Sequence, residues 1–337
     1  LRRRSDEFRQ ITSHMQEGLV LLNESGAVLS INAAACRVFG TGESCLGQDF
    51  LTVDRGRDVS DALASAMDAG HSEVRVQRLG RIYQFDISRI QSGPDTLGAV
   101  LLAFDITQQE TAEQSRREFT ANVSHELKTP LQGIIGSAEL LENGMVRPDD
   151  VPRFVGHIRG EPQRLVALIG DIIRLSQLDE GDPLPWEQVD IPALCRDIAA
   201  DLRDKAEKSQ VSLTVEGQDV QAEGVRRLLH ETIYNLCDNA IGYNVPGGSV
   251  RVTVSDAGEN AVISVADTGI GIAPEHQPRI FERFYRVDKS HSKASGGTGL
   301  GLSIVKHAVA YHHGTVQLES QPGKGTTITV TIPRKQS

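Results

Sequence analysis

Residues Ala121 to Ile134 read ANVSHELKTPLQGI, a helical stripe with reactive groups set across it. Val123, Leu127, Leu131 and Ile134 recur at steps of three and four, which places apolar side chains on one face of an α-helix. A helix turns about 100° per residue, so His125, two residues from both Val123 and Leu127, stands roughly 200° from that face. Thr129 lies one turn further along, on the same outward side. Glu126 is the sequence neighbour able to approach the ring laterally. Pro130 has no N–H and crowds the carbonyl of Glu126, so a bend beside His125 is expected. An imidazole with a pKa of about 6.5 is largely neutral near pH 7 and offers a lone pair. A carboxylate on its other nitrogen would fix the tautomer and stabilise the charge formed when the ring attacks an electrophile. The plain alternative is a solvated surface histidine.

Outward from this stretch the pattern continues. Phe119, Val123, Leu127, Leu131, Ile134, Ala138 and Leu141 form one series. After the break at NGMVRPDD comes a second: Val151, Phe154, Ile158, Leu165, Leu168, Ile172 and Leu175. These are two antiparallel helices joined by a short loop. One hairpin cannot enclose both stripes, and pairing with a second copy into a four-helix bundle is the economical solution. Upstream, QQETAEQSRREF has no apolar content before Phe119 and reads as an exposed connector or coiled-coil segment. The helical region therefore runs over about 108–180.

On either side lie mixed regions. Over about 6–107, GLVLLNESGAVLSIN predicts two strands around a turn at Gly26, and INAAACRVFG and SDALASAMDAG predict helices stopped by glycine. SEVRVQRLGRIYQFDISRI and LGAVLLAFDIT return to strand patterns. Over about 189–333, DIPALCRDIAADLRDKAEKS is helix and VSLTVEG strand, and GVRRLLHETIYNLCDNAIGY is helix again. The strands SVRVTVSDAG and NAVISVADTG follow, then the helix GLGLSIVKHAVAYH and the strands GTVQLES and GTTITVTIP. That order describes a helix layer on one sheet, an α/β sandwich.

The 337 residues suggest two or three domains. A net charge of −10 and 4% aromatic residues disfavour nucleic-acid binding, which draws on cationic and stacking side chains. Cys36, Cys45, Cys195 and Cys237 form no CxxC pair, so buried free thiols are expected rather than zinc. The longest apolar run, LGAVLLAF, is far shorter than the roughly 20 residues of a spanning helix. The opening LRRR would suit the cytoplasmic flank of a membrane segment upstream of Leu1.

Four blocks in the C-terminal region suit a nucleotide. Glu231, Asn235 and Asn239 fall four apart on one helix face, and their oxygens suit Mg²⁺ shared with phosphates. Asp267 ends a strand, followed by Gly269 and Gly271; its carboxylate can accept from the amino group of adenine. Gly296, Gly297, Gly299 and Gly301 lead into a helix whose first N–H groups can hold a polyphosphate. Gly323 and Gly325 open the last strand. No lysine follows in the Walker A manner, and GTGLGL lacks the last glycine of a dinucleotide fingerprint.

SHELKTPL resembles the H box of two-component sensor histidine kinases. The later blocks resemble that family's N box (Asn235, Asn239), G1 box (Asp267, Gly269, Gly271), F box (Phe281 to Arg286) and G2 box (Gly297, Gly299, Gly301), over about 117–333. Within that family the chain resembles phosphate-regulon and cell-wall sensor kinases. The first region resembles a PAS sensor domain ending in Asp105-Ile106-Thr107, with a ligand-free dimerisation domain set against a small-molecule pocket. The resemblance implies a multidomain α+β chain: a PAS-like α/β domain over 6–107, a signalling helix and dimeric phosphotransfer hairpin over 108–180, and a Bergerat α/β sandwich over 189–333.

It further implies ATP-dependent phosphorylation of His125 and transfer to an aspartate of a response-regulator receiver domain. Glu126 and Thr129 would support a regulator phosphatase. Asn235 would ligate Mg²⁺, with Glu231 contributing indirectly. Asn239, Tyr243, Asp267, the glycines, Leu302 and Thr326 would line the ATP site, and a lid would span about 287–298. The whole would be the cytoplasmic part of a membrane-anchored bacterial sensor, homodimeric and without nucleic-acid partners. Relatives commonly carry lysine where Gly242 stands; Arg283, Arg286 or Lys289 would have to compensate. The alternatives are a kinase-weak, phosphatase-dominant scaffold and a gyrase-like ATPase. His307, His312 and His313 are read as a solvated helix end rather than a metal site.

Overall fold

The computed structural model describes residues 10–180, 184–287 and 297–335. LRRR, residues 6–9, Lys289, Gly296 and most of the expected lid lie outside the described residues. The chain divides into two compact units, one ending at Ala121 and the other beginning at Asn122.

The first unit is a five-stranded antiparallel sheet of order β2-β1-β5-β4-β3, built from β1 (Gly18–Asn23), β2 (Val28–Ile31), β3 (His71–Arg78), β4 (Arg81–Ser92) and β5 (Asp95–Asp105). Between β2 and β3 lie α1 (Ala33–Phe39), α2 (Phe50–Val53) and α3 (Arg57–Ala69). Asn32 starts α1 by accepting from the Ala35 N–H, and its amide donates to the carbonyls of Thr12 and Glu17. Both α1 and α3 stop at left-handed glycines, Gly40 and Gly70, as the sequence predicts. Alternation along β5 buries Ala99, Leu101 and Ala103 against Val20, Leu22, Phe50, Phe85 and Ile87. At the exit, the Asp105 carboxylate accepts from the backbone N–H and hydroxyl of Thr107. These bonds, with Arg81, hold Asp105 below the usual carboxylate range. Thr107 is the first residue of α4 (Thr107–Glu142), a helix of 36 residues.

In the second unit the continuing α4 is joined through a short turn to α5 (Val151–Glu180). Ser137 meets the His157 ring, while Glu126 and Pro130 share a small cavity with Arg164, Leu165 and Leu168, so α5 runs back along α4. The helix continues without interruption through Pro130, which is buried. Few apolar residues of the hairpin are enclosed: Leu168 and Leu175 are buried, whereas Leu131, Ile135, Val155, Val166, Ile169 and Ile173 remain exposed.

The rest of the unit is the α/β sandwich. Strands β7 (Ser212–Gly217), β9 (Ser249–Ala257), β10 (Asn260–Asp267), β11 (Thr315–Gln321) and β12 (Gly325–Pro333) form a sheet of order β11-β12-β10-β9-β7, parallel only between β7 and β9. Helices α6 (Ile191–Asp201), α8 (Arg226–Gly242) and α9 (Gly301–Tyr311) supply the other side of the core. Alternation in β9 and β10 sends Val250, Val252, Val254, Ala261, Ile263 and Val265 into it, against Ile191, Ile198, Leu229, Ile233, Leu236 and Val305. All four cysteines are free, and burial pushes the Cys195 and Cys237 thiols up to about 12.

Two readings of this region need correction. The segment from Asp190 to Ser209 is two helices, because Leu202 separates α6 from α7 (Arg203–Lys208). A second small sheet, β6 (Glu187–Asp190) with β8 (Gln221–Gly224), escaped the sequence reading. Each strand is four residues long and mostly polar, too short for alternation to register.

Candidate functional site

His125 lies on α4 with its side chain exposed, and the Thr129 hydroxyl donates to its backbone carbonyl at 3.1 Å. The next residue, Glu126, is partly buried and faces Arg286, carboxylate to guanidinium 3.9 Å. Arg286 also donates to the carbonyl of Gly297 and lines the same cavity as Glu126, Pro130, Arg164 and Thr298. Burial lowers the Arg286 pKa, opposed by Glu126 and assisted by the charge of Arg164. The helix that carries His125 and the glycine-rich turn before α9 therefore meet through one nearly buried arginine.

The nucleotide-type residues converge around the end of α8, the end of β10 and the start of α9. Asp267 Oδ1 accepts from the N–H groups of Gly269 at 2.8 Å and Thr326 at 3.2 Å. Burial raises the Asp267 pKa although both bonds act to lower it. Thr326 also pairs its hydroxyl with that of Ser320 at 2.8 Å. Tyr243 ends α8, half exposed, and its carbonyl accepts from Ile270. Gly271 has φ +67°, and a Cβ there would lie 2.1 Å from the carbonyl oxygen of Gln321, so the turn after β10 admits only glycine. Leu302, on the first turn of α9, packs against the core of the sandwich. That helix begins at Gly301 without a side-chain cap, leaving its first donors available to an anion.

The residues present fit a Mg²⁺ ion. A Cβ on Gly301 would stand 3.3 Å from Asn235 Oδ1, so glycine keeps space in front of that oxygen. On the same helix face, Glu231 Oε2 is buried without a hydrogen-bond partner. The other oxygen, Oε1, is held by Arg174 at 3.0 Å and Arg227 at 3.3 Å. Asn239 shares this face, partly buried. A hard cation takes oxygen donors of this kind.

The departure at Gly242 is now concrete. Nothing lies within 4 Å of the position a Cβ would take, so no side-chain cation reaches in from that point. Of the proposed substitutes, Arg283 donates to both oxygens of Asp179 at 2.8 Å and to His307 Nε2 at 3.0 Å. Arg286 is turned to Glu126 and Gly297.

The reading of the three C-terminal histidines as a solvated end is half wrong. His312 is completely buried; its Nε2 accepts from the Val225 N–H at 3.0 Å and its Nδ1 donates to the Ala308 carbonyl. Burial pushes its pKa down. Trp186 and Tyr311 pack around the ring. His307 belongs to the Asp179–Arg283 cluster, and His313 sits at φ +55°. The three do not converge on one metal.

Sequence reasoning missed the α5 side of this site. Asp171 accepts from the Thr298 hydroxyl at 2.8 Å, Arg174 holds Glu231, and Asp179 holds Arg283. Asp171 is raised in pKa chiefly by burial. These residues spread over about 140° of the helix circumference, and nothing in their identity distinguishes them from ordinary polar surface.

Comparison with known proteins follows the same division. The family profile "His Kinase A (phospho-acceptor) domain" matches residues 115–181, and "Histidine kinase-, DNA gyrase B-, and HSP90-like ATPase" matches 224–336. The chain is 39% identical over 282 residues to the sensor-like histidine kinase SenX3 of Mycolicibacterium smegmatis, covering 83% of this chain and 72% of that protein. It is 31% identical to the sensor histidine kinase WalK of Bacillus subtilis, covering 98% of this chain and 56% of WalK. Histidine kinase ThkA, solved in complex with response regulator protein TrrA, superposes with a TM-score of 0.54 at 20% identity, over 94% of this chain and 96% of that one. That last likeness is one of fold.

Proposed function

The chain belongs to the two-component sensor histidine kinases, ATP-dependent enzymes that phosphorylate a histidine and hand the phosphoryl group to a response regulator, and from that premise we propose that His125 is the acceptor. The observation that carries this assignment is the pairing of Glu126 with Arg286, which joins the acceptor helix to the glycine turn of the sandwich.

In the proposed reaction the exposed imidazole attacks the γ-phosphorus of ATP, a nitrogen–phosphorus bond forms, and ADP leaves with the bridging oxygen. Asp267 accepts from the adenine amino group, and Tyr243, Asn239, Gly269, Gly271, Leu302 and Thr326 form the surrounding wall. The open N-terminus of α9, with Gly297, Gly299 and Gly301, receives the phosphates. Asn235 would hold Mg²⁺, with Glu231 behind it, and the ion would supply charge neutralisation on the phosphates. Glu126 steadies the imidazolium that forms, and Arg286 keeps that carboxylate in place. Such transfer depends on positioning and charge more than on covalent help from the protein. The phosphoryl group then passes to an aspartate of a receiver domain, and Glu126 and Thr129 serve the separate hydrolysis of that phosphoaspartate, in which water takes the phosphoryl group and inorganic phosphate leaves.

The exposed apolar positions Ile135, Val155, Ile169 and Ile173 support a dimer through the hairpin, the second copy completing a four-helix bundle. The first unit is proposed as a PAS-like sensor domain over 6–107, on its sheet order, the three helices between β2 and β3, and the Asp105–Thr107 corner. Gly242 favours a second reading, in which weak phosphate holding leaves a phosphatase-dominant sensor. With [γ-³²P]ATP the chain should acquire acid-labile label that His125→Gln loses by at least about 10³-fold. Label retained in His125→Gln would remove the assignment, and no label with intact nucleotide binding would favour the second reading.

A further inference from the structure

A cluster outside the nucleotide site sits on the sheet of the first unit. His71 and Glu73 alternate on β3, which is the terminal strand of that sheet, and both point to the exposed face. Directly opposite Glu73 in the register is Asp86 on β4. Two carboxylates facing each other across a strand pair repel, and nothing in the packing of an edge requires them. The His71 ring stands between the two: Nδ1 lies 3.3 Å from Asp86 Oδ1 and Nε2 lies 3.4 Å from Glu73 Oε1. Ser88 Oγ stands 3.1 Å from Nδ1, and Gln84 donates to the second oxygen of Glu73 at 3.3 Å.

We propose that His71, Glu73 and Asp86 form a three-ligand site for a divalent transition-metal cation of the Zn²⁺ class. Ligands about 2.0–2.1 Å from a tetrahedral ion are about 3.3 Å apart, so the two carboxylates, which now meet different ring nitrogens, must draw in around one of them. One donor atom from each of the three residues falls within 4.8 Å of the others, a spread that a small rotation of exposed side chains closes. The imidazole nitrogen selects against Mg²⁺ and Ca²⁺, which take oxygen shells, and the open sheet edge leaves the remaining positions to water. It is the single such group among the described residues.

The position gives the site a route to the rest of the chain. Arg75, the next outward residue on β3, bonds Glu110 in the first turns of α4. A cation bound at His71 and Glu73 therefore adds charge one step along the same strand face from the contact between sheet and helix. The site owes nothing to the assignment of His125.

Calorimetric titration of the full metal-free chain with Zn²⁺ tests it. One equivalent should bind, and His71→Gln, Glu73→Gln and Asp86→Asn should each weaken binding by at least about tenfold, since even residues behind a metal's ligands cost 10–100-fold. Millimolar Mg²⁺ should not displace the bound Zn²⁺. Circular dichroism spectra unchanged from the parent would show that the variants fold. Absence of Zn²⁺ binding, or variants that bind as the parent does, would overturn the site. Loss in only one variant would overturn the three-ligand set, and displacement by Mg²⁺ would overturn the metal class.

Discussion

The hairpin and the sandwich carry similar apolar patterns in sequence and end in opposite states. In the sandwich, α6, α8, α9 and five strands close a continuous core, so Ile233, Ile263 and Val330 are withdrawn from water within one chain. In the hairpin, Ile135, Val166 and Ile173 keep half or more of their surface, at 55%, 70% and 52% exposed. An amphipathic stripe states which face wants cover and says nothing of where the cover comes from. A sheet can supply it internally; two helices side by side cannot.

The largest effect expected from that contrast after loss of His125 concerns Ile263. Truncating it to alanine should remove about 2–5 kcal/mol from the stability of the sandwich, read by chemical denaturation. Ile173→Asp should leave that transition in place and instead dissociate the dimer, read by sedimentation. A monomer in the parent, or loss of sandwich stability in Ile173→Asp, would break the comparison.

Thr129→Ala sharpens it on the hairpin's outward face. Autophosphorylation should persist while hydrolysis of the phosphorylated regulator falls about tenfold or more. Equal loss of both activities would defeat the assignment of Thr129.

A third measurement uses pH on the sandwich. His312 accepts from Val225 and donates to Ala308, so it must be neutral to keep both bonds. Its folded pKa lies below the unfolded value of about 6.5 because burial opposes the charge. The unfolded chain then binds the extra proton, so stability is complete above about pH 6.5 and declines as pH falls below it. Thermal scans from pH 7.5 to 5 should show that decline, and His312→Gln should flatten it.

The smallest effect is at Gly242. The space there is open, and lysine at the end of α8 suits both the helix dipole and a nearby phosphate. Gly242→Lys should raise ATP affinity a few-fold, an increment of about 0.5–1 kcal/mol. No change, with nucleotide binding already tight, would show that the phosphates are held without a cation at this point.

Legibility followed the reach of each interaction. The glycine stops of α1 and α3, the alternation of β9 and β10, and the glycine turns are local, and all can be read from neighbouring residues. The grip of α5 on the sandwich was invisible, because Asp171, Arg174 and Asp179 find partners about 57 to 127 positions away (the nearest is Glu231). His312 was misread for the same reason. The sequence places it at a helix end, and only the approach of Val225, 87 residues earlier, makes that end an interior.

Taken alone, the amino-acid order determined the period of most long elements, the outward aim of His125 from the helical stripe, and the family to which the chain belongs. The tertiary structure decided which polar groups meet: Glu126 with Arg286, Glu231 with Arg174, and His71 between two carboxylates on a sheet edge. Periodicity is a property of the backbone's own geometry and is written into adjacent residues. Charge pairing between distant segments costs nothing in either segment's local pattern, so it leaves no mark there until the chain has folded.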